Sequence, residues 1–227
     1  MNITEALEKL ISGSPFIEEA INENIVNISS LARKLKPEVE YILKKPVNTG
    51  ALIMAIKRRQ PGRYTRISNE VRGIMNKLGD ITVRSGLSGH SFENSPTLVT
   101  CQRNLMDEAV KRKNVFCTFS QGVSETTIVT GNILDSEVDK IFSGEKRLAG
   151  KKGLGSVTIQ LPRENTKIPG IYYFILKTLA WKGINIREII SATNELNIVV
   201  DETDTEKAFP VILGLKRINA GKIKPVV

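Results

Sequence analysis

The sequence predicts an α+β protein in which a helical N-terminal domain precedes two ferredoxin-like βαββαβ domains. Three observations indicate this arrangement. Apolar residues follow a helical spacing through the first part of the chain. From Gly155 onward their period changes from two to about 3.6 and back to two. A similar order of elements occurs earlier in the chain. We therefore place the domains at residues 1–62, 63–150 and 151–227.

The last domain carries the clearest pattern. Alternating apolar and polar residues predict a strand from Gly155 to Pro162, and a helix follows from Pro169 to Gly183. The same criteria predict two strands, a second helix and a closing strand: Ile184–Ile190, Asn194–Asp201, Thr203–Leu215 and Ile223–Val227. We expect Pro210 to kink or shorten the second helix, because proline removes a helical hydrogen bond.

Three stretches of this domain resemble the ACT domain, in the form found in regulatory parts of aspartate kinases: Pro169-Gly170-Ile171, Lys182-Gly183-Ile184-Asn185-Ile186 and Asn194 to Asp201. The resemblance implies a regulatory domain that binds an amino acid or a similar ligand, usually where two such domains pair. It places the ligand against a loop and the start of a strand, at Ile168, Pro169, Gly170, Ile171, Asn185 and Ile186.

The chemistry of these residues fits that ligand class. Gly170 permits close backbone approach, and the N–H groups of a helix N-terminus favour a carboxylate. Asn185 can both donate and accept hydrogen bonds, which suits the two charged ends of an amino acid. The alternative is that Gly170 serves only the turn and that Asn185 pairs at the sheet edge.

The preceding domain is interpreted as a first copy of the same domain. Aligning Glu125 with Glu195 gives an internal repeat with an offset of 70 residues, and Phe119–Val129 also resembles the ACT strand pair. We expect this copy to have a longer strand-to-helix loop and to lack the Gly-Ile-Asn-Ile run, which leaves its ligand binding open. Two polar segments are interpreted as loops: Gly86–Ser91, which exposes His90, and Gly144–Gly155, which connects the copies.

The first domain is predicted to contain helices over Asn2–Ile11, Phe16–Glu23, Ile28–Lys45 (interrupted or bent at Pro37) and Ala51–Arg59, with helix-turn-helix or winged-helix character. Residues 33–72 hold eleven Lys/Arg against three Glu, so much of the net charge of +9 lies there. One interpretation is DNA binding, with phosphate contacts from Lys34, Lys36, Lys44, Lys45, Lys57, Arg58 and Arg59. The other is a solvated basic rim, because the last helix is apolar on all sides and should be mostly buried.

Composition limits the remaining classes of function. No apolar run has the length of a membrane span, and the N-terminus lacks a secretory pattern, so we expect a cytoplasmic protein. The only histidine stands in no catalytic motif, and Cys101 and Cys117 suggest neither a disulfide framework nor a metal site. We therefore expect no enzyme, cofactor or metal.

The sequence analysis favours a homodimeric amino-acid sensor whose output is DNA binding. The alternatives are a detached regulatory subunit that docks on an amino-acid biosynthetic enzyme, such as an aspartate kinase, and a chain that only assembles. These three functions differ in partner: DNA, another enzyme, or further copies of the chain.

Overall fold

A computed structural model describes residues 1–59 and 62–217, which form two compact units. The first unit contains Met1–Gly73 and the short segment Ile168–Gly170. The second contains Ile74–Lys167 and residues 171–217. None of the helices in these described ranges is long and apolar enough to span a membrane.

The first unit is helical, as predicted. Asparagine caps start three of its helices: Asn2 accepts from the Glu5 backbone N–H at 2.9 Å, and Asn27 and Asn48 do the same for later helices. The helices are α1 (Ile3–Ser12), α2 (Pro15–Asn22), α3 (Ile28–Leu43), α4 (Thr49–Lys57) and α5 (Arg63–Met75). Pro37 does not interrupt α3. The core consists of apolar side chains from α1, α3 and α4, among them Leu7, Ile11, Leu35, Val39, Leu52 and Ile56.

The second unit contains one antiparallel sheet of six strands in the order β2-β3-β1-β4-β6-β5. Its first half comprises β1 (Ile81–Glu93), α6 (Leu98–Val110), β2 (Cys117–Gln121), β3 (Glu125–Gly131) and α7 (Asp135–Ile141). Its second half comprises β4 (Arg147–Gln160), α8 (Ile171–Trp181), β5 (Ile186–Ala192), β6 (Glu195–Asp201) and α9 (Glu202–Arg217).

The two halves are repeats, as the sequence predicted. Both follow the order βαββα, and β3 and β6 begin at Glu125 and Glu195, which confirms the offset of 70 residues. The repeats join where β1 pairs with β4, with Leu87 opposite Leu154. β4 therefore occupies the position beside β1 that a closing strand of the first copy would take. The closing strand predicted at Ile223–Val227 lies outside the described residues.

Two interpretations of polar segments were wrong. Residues 86–91 belong to β1, and residues 147–155 belong to β4 instead of connecting the repeats. Both strands lie inside the sheet, so the neighbouring strands satisfy their backbone groups. The cations of β4 are paired with carboxylates of other elements: Arg147–Asp139 at 2.6 Å, Lys151–Asp201 at 2.8 Å and Lys152–Asp135 at 3.0 Å.

Helix α9 also differs from its prediction. It continues through Pro210 to Arg217, two residues beyond the predicted end at Leu215. Ala208, Ile212 and Leu215 are buried on one side of the helix, while Pro210 is exposed on the other. Burial of this apolar face on both sides of the proline offsets the lost helical hydrogen bond.

Candidate functional site

The segment before α8 and the first residue of that helix contain four of the six residues predicted to bind a ligand. A short 3-10 helix, Arg163–Lys167, leads into Ile168–Gly170, and α8 begins at Ile171. Gly170 has φ +91°, a conformation that favours glycine. A Cβ atom on Gly170 would lie 3.1 Å from Ile67 Cγ2 and 3.7 Å from Val71 Cγ2. Gly170 therefore serves both the turn and close packing against α5 within the first unit.

A hydrogen-bond network holds the end of β4 against the β5–β6 turn. Asn165 is 9% exposed, and its Nδ2 donates to the carbonyls of Pro162 at 2.8 Å and Thr193 at 2.7 Å. The backbone N–H of Leu161 donates to the Asn194 carbonyl at 2.8 Å. The hydroxyls of Tyr172 and Ser191 lie 2.7 Å apart. The first turn of α8, the end of β4 and the end of β5 thus meet at one end of the sheet.

Asn185 and Ile186, the other two predicted residues, lie at the opposite end of β5. Asn185 is exposed just before the strand, and Ile186 is its first residue. Seven residues of strand span about 20 Å. The contact between Tyr172 and Ser191 places the last residues of β5 beside the first turn of α8. A single chain therefore does not bring Asn185 together with the first turn of α8.

An open cavity of about 690 Å³ lies at the end of the sheet where β4 meets the β5–β6 turn. Two carboxylates, Asp80 and Glu195, stand among hydroxyl and amide side chains in its wall. The lining is Asp80, Thr82, Thr158, Gln160, Ala192, Thr193, Asn194 and Glu195. Among the residues that the structure describes, no cation lines this cavity, so its chemistry suits an ammonium group or another cationic donor.

The polar face of the sheet orients one of these carboxylates. Thr158 Oγ1 donates to Asn197 Oδ1 at 2.5 Å, and Asn197 Nδ2 donates to Glu195 Oε1 at 2.9 Å. Thr158 pairs with Asn197 across β4 and β6, and Thr82 pairs with Thr158 across β1 and β4. Sequence reasoning missed this cavity. The alternation of Thr158 and Gln160 with buried Val157 and Ile159 was the available signal.

The basic residues of the first unit fall into two groups. Lys34, Lys44, Lys45, Lys57 and Arg58 are exposed, and Lys36 is half-buried with its Nζ 3.7 Å from Glu40 Oε1. Arg59 differs from all of them, because its side chain is 6% exposed and bonds Glu8 at 2.8 Å. An Arg59 contact with phosphate would require breaking that internal pair.

Helix α4 is less buried than its sequence predicted. Only Leu52 and Ile56 are buried along it, whereas Ala51 is exposed and Met54 is 47% exposed. Hydrogen bonds hold both ends of the preceding turn. The Val47 backbone N–H donates to Glu40 Oε1 at 2.8 Å, and the Gly50 N–H donates to Asn48 Oδ1 at 2.7 Å. An exposed face of α4 is thus available beside the basic turn.

His90 is 3% exposed on β1, so the interpretation of an exposed loop histidine was wrong. Its Nε2 lies 3.6 Å from Asp135 Oδ1, and Ser88 Oγ donates to Asp135 Oδ2 at 3.2 Å. Burial lowers the pKa of His90, and nearby Arg147 lowers it further. The serine bonds the aspartate and not the imidazole, so the cluster does not have the arrangement of a hydrolytic triad.

The two cysteines are free thiols, and both are partly buried. Burial raises the pKa of the Cys117 thiol to about 11, which keeps it protonated near neutral pH. Cys101 packs beside the buried cluster between α6 and the sheet. Both environments suit a cysteine that acts as a small apolar side chain.

Comparison with known proteins identifies the fold. No protein-family model matches the sequence, and no curated protein matches it. A structure of aspartokinase alpha and beta subunits is similar with a TM-score of 0.51 and 16% identity, over 62% of this chain and 99% of that chain. Clostridium acetobutylicum aspartate kinase is similar with a TM-score of 0.50 and 18% identity, over 61% of this chain and 34% of that chain.

The regulatory subunit of aspartate kinase from Thermus thermophilus has a TM-score of 0.49 and 12% identity, over 61% of this chain and 97% of that chain. At these identities, the two likenesses at 0.50 and above show a shared fold alone. The resemblance in the sequence had implied a fold of this kind for the repeats. The helix-turn-helix interpretation of the first unit stays a prediction.

Proposed function

We propose that this chain is a regulatory protein that binds an amino acid or a similar small effector through its second repeat. The observation that carries the proposal is the pair of βαββα repeats within one sheet, a fold shared with aspartokinase structures. The ACT-like stretches of the sequence point to the same ligand class. Its role is regulatory rather than catalytic.

The start of α8 in the second repeat suits one charged end of an amino acid. The N–H groups that begin α8 favour the carboxylate of the effector. Asp80 and Glu195 line a separate cavity on the opposite face of the sheet, which suits another cationic group. The end of β5 contacts the first turn of α8 through the hydroxyls of Ser191 and Tyr172, which lie 2.7 Å apart. This arrangement supports an effector site at this end of the sheet.

The predicted contribution of Asn185 requires a second chain. Asn185 lies about 20 Å, the length of a seven-residue strand, from the end of the sheet at which α8 begins. An effector that contacts both places must therefore bridge two copies, each giving a different end of its sheet. On this argument we propose a homodimer in which effector binding and dimer geometry are linked.

A thermal-shift screen against the twenty amino acids tests the proposal. One selective ligand is expected to raise the melting temperature by about 5–10 °C at a concentration of about 100 times its dissociation constant. Asn185→Ala should reduce this shift. Asn69→Ala changes an exposed asparagine of α5 and serves as the control. Absence of any shift for the unsubstituted protein would contradict effector binding.

The output of the sensor has two candidates. The exposed cations around the α3–α4 turn favour DNA, for which affinity should fall steeply as salt rises in a fluorescence anisotropy titration. Affinity that does not change with salt would contradict this output. The second candidate is a detached subunit that docks on an amino-acid biosynthetic enzyme. It is favoured by the aspartokinase likeness that extends over 99% of the matched chain.

A further inference from the structure

The two repeats differ most in the loop between their first strand and first helix. The first repeat has four residues there, 94–97, and the second has ten, 161–170. This reverses the sequence expectation of a longer loop in the first repeat. The reason is that β1 continues through Glu93, seven residues past the start of the segment interpreted as a loop.

A carboxylate of the same chain occupies the start of α6 in the first repeat. Glu145 follows α7, and its Oε2 accepts from Ser95 Oγ at 2.5 Å. Its Oε1 accepts from Thr97 Oγ1 at 2.6 Å and from Cys101 Sγ at 3.6 Å. Three side-chain donors of the loop and of the first turn of α6 therefore converge on one carboxylate.

The surroundings favour the ionised form of this carboxylate. Hydrogen bonds from Ser95 and Thr97 lower the pKa of Glu145. The partial positive charge at the N-terminus of α6 acts in the same direction. The second repeat differs, because the sequence has no Asp or Glu between Asn165 and Trp181 and none after Glu206, where a counterpart of Glu145 would stand. Within that stretch the start of α8 has no carboxylate of its own.

We propose that Glu145 takes, in the first repeat, the place that the effector carboxylate takes in the second. The first repeat then binds no effector, and each chain binds one. The predicted number of effectors per chain rests on the proposed function. That Glu145 occupies the start of α6 is a separate claim, and it can be tested without any amino acid.

The first test is rescue of Glu145→Ala by acetate. The substitution is expected to lower the melting temperature by about 5 °C, because three donors lose a charged partner. Sodium acetate should restore part of this loss relative to sodium chloride of equal ionic strength. Glu93→Ala is the matched control, because it removes the carboxylate that pairs with neighbouring Lys146 at the surface and should show no rescue.

The results separate the two claims. An unchanged melting temperature for Glu145→Ala, or a loss that acetate does not restore, overturns the proposed occupation. Calorimetric titration of the unsubstituted protein with the amino acid found by thermal shift should give one effector per chain, and two per chain would also overturn it. Acetate rescue without any amino-acid binding would contradict the proposed function while supporting the role of Glu145.

Discussion

Replacing Arg59 by alanine is expected to destabilise the helical unit by about 3 kcal/mol, because it removes a nearly buried guanidinium together with its ion pairs to Glu8 and Glu18. Arg59 Nε and Nη2 lie 2.8 and 3.1 Å from the two carboxylate oxygens of Glu8. Nη2 also lies 3.5 Å from Glu18 Oε2, and the Glu18 side chain is only 2% exposed. Urea denaturation followed by far-ultraviolet circular dichroism measures the loss.

Two further variants make this result specific. Arg58→Ala removes the neighbouring, exposed cation and should change the free energy of unfolding by no more than about 0.5 kcal/mol. Glu8→Ala removes the half-exposed partner of the same guanidinium and should cost less than Arg59→Ala, because an exposed ion pair contributes little to stability. If Arg59→Ala costs as little as Arg58→Ala, the pair does not stabilise the unit as its geometry indicates.

The Arg59 pair also determines how DNA binding is tested. Reversing Lys57, Arg58 and Arg59 together to Glu would place a third carboxylate beside Glu8 and Glu18. The resulting loss of fold would resemble a loss of DNA contacts. Changing only Lys57 and Arg58 to Glu alters exposed cations, so a loss of DNA binding by this variant would reflect lost surface contacts and not a lost fold.

The helices of the first unit and the repeats of the second could be predicted because the signals for both are local. Asn2 marks the start of α1, and the alternation from Val157 to Leu161 marks the buried face of β4. The shared spacing of Glu125 and Glu195 gave the repeat offset, since both residues begin equivalent strands. Each of these signals depends on neighbours within a few residues, or on direct comparison of two segments.

The polar strands could not be predicted because their partners are distant in sequence. Ser88 and His90 belong to a buried face of β1 only because Asp135 lies against them, 47 residues after Ser88. Lys151 and Lys152 similarly find carboxylates on other elements. Isolated from those partners, each segment has the composition of an exposed loop.

The separation of the predicted site residues could have been derived from the order of elements. Helix α8 returns the chain to the opposite end of the sheet, so β5 starts where α8 ends. Asn185 must then lie far from Gly170 along the strand direction. The resemblance obscured this, because it describes a site formed where two domains pair and does not require one chain to contribute all six residues.

Phe92→Ala is expected to cost about 3–5 kcal/mol, the usual effect of removing a fully buried aromatic side chain. Phe92 is completely buried, and its ring stacks on Phe142 with centroids 4.7 Å apart. The Arg147 guanidinium lies over the Phe92 ring, 5.2 Å from its centroid. Urea denaturation measures the cost, and Phe92→Leu should lose roughly half as much because it keeps part of the apolar volume.

The control for Phe92 is Val123→Ala at the tip of the β2–β3 turn, where the side chain is fully exposed. It should change the free energy of unfolding by no more than about 0.5 kcal/mol. Phe92 immediately follows the segment whose composition suggested a loop, so its substitution tests the strand directly. A cost equal to that of Val123→Ala would mean that this part of β1 is exposed. A cost of several kcal/mol requires Ser88 and His90 to be carried into the interior on the same strand face.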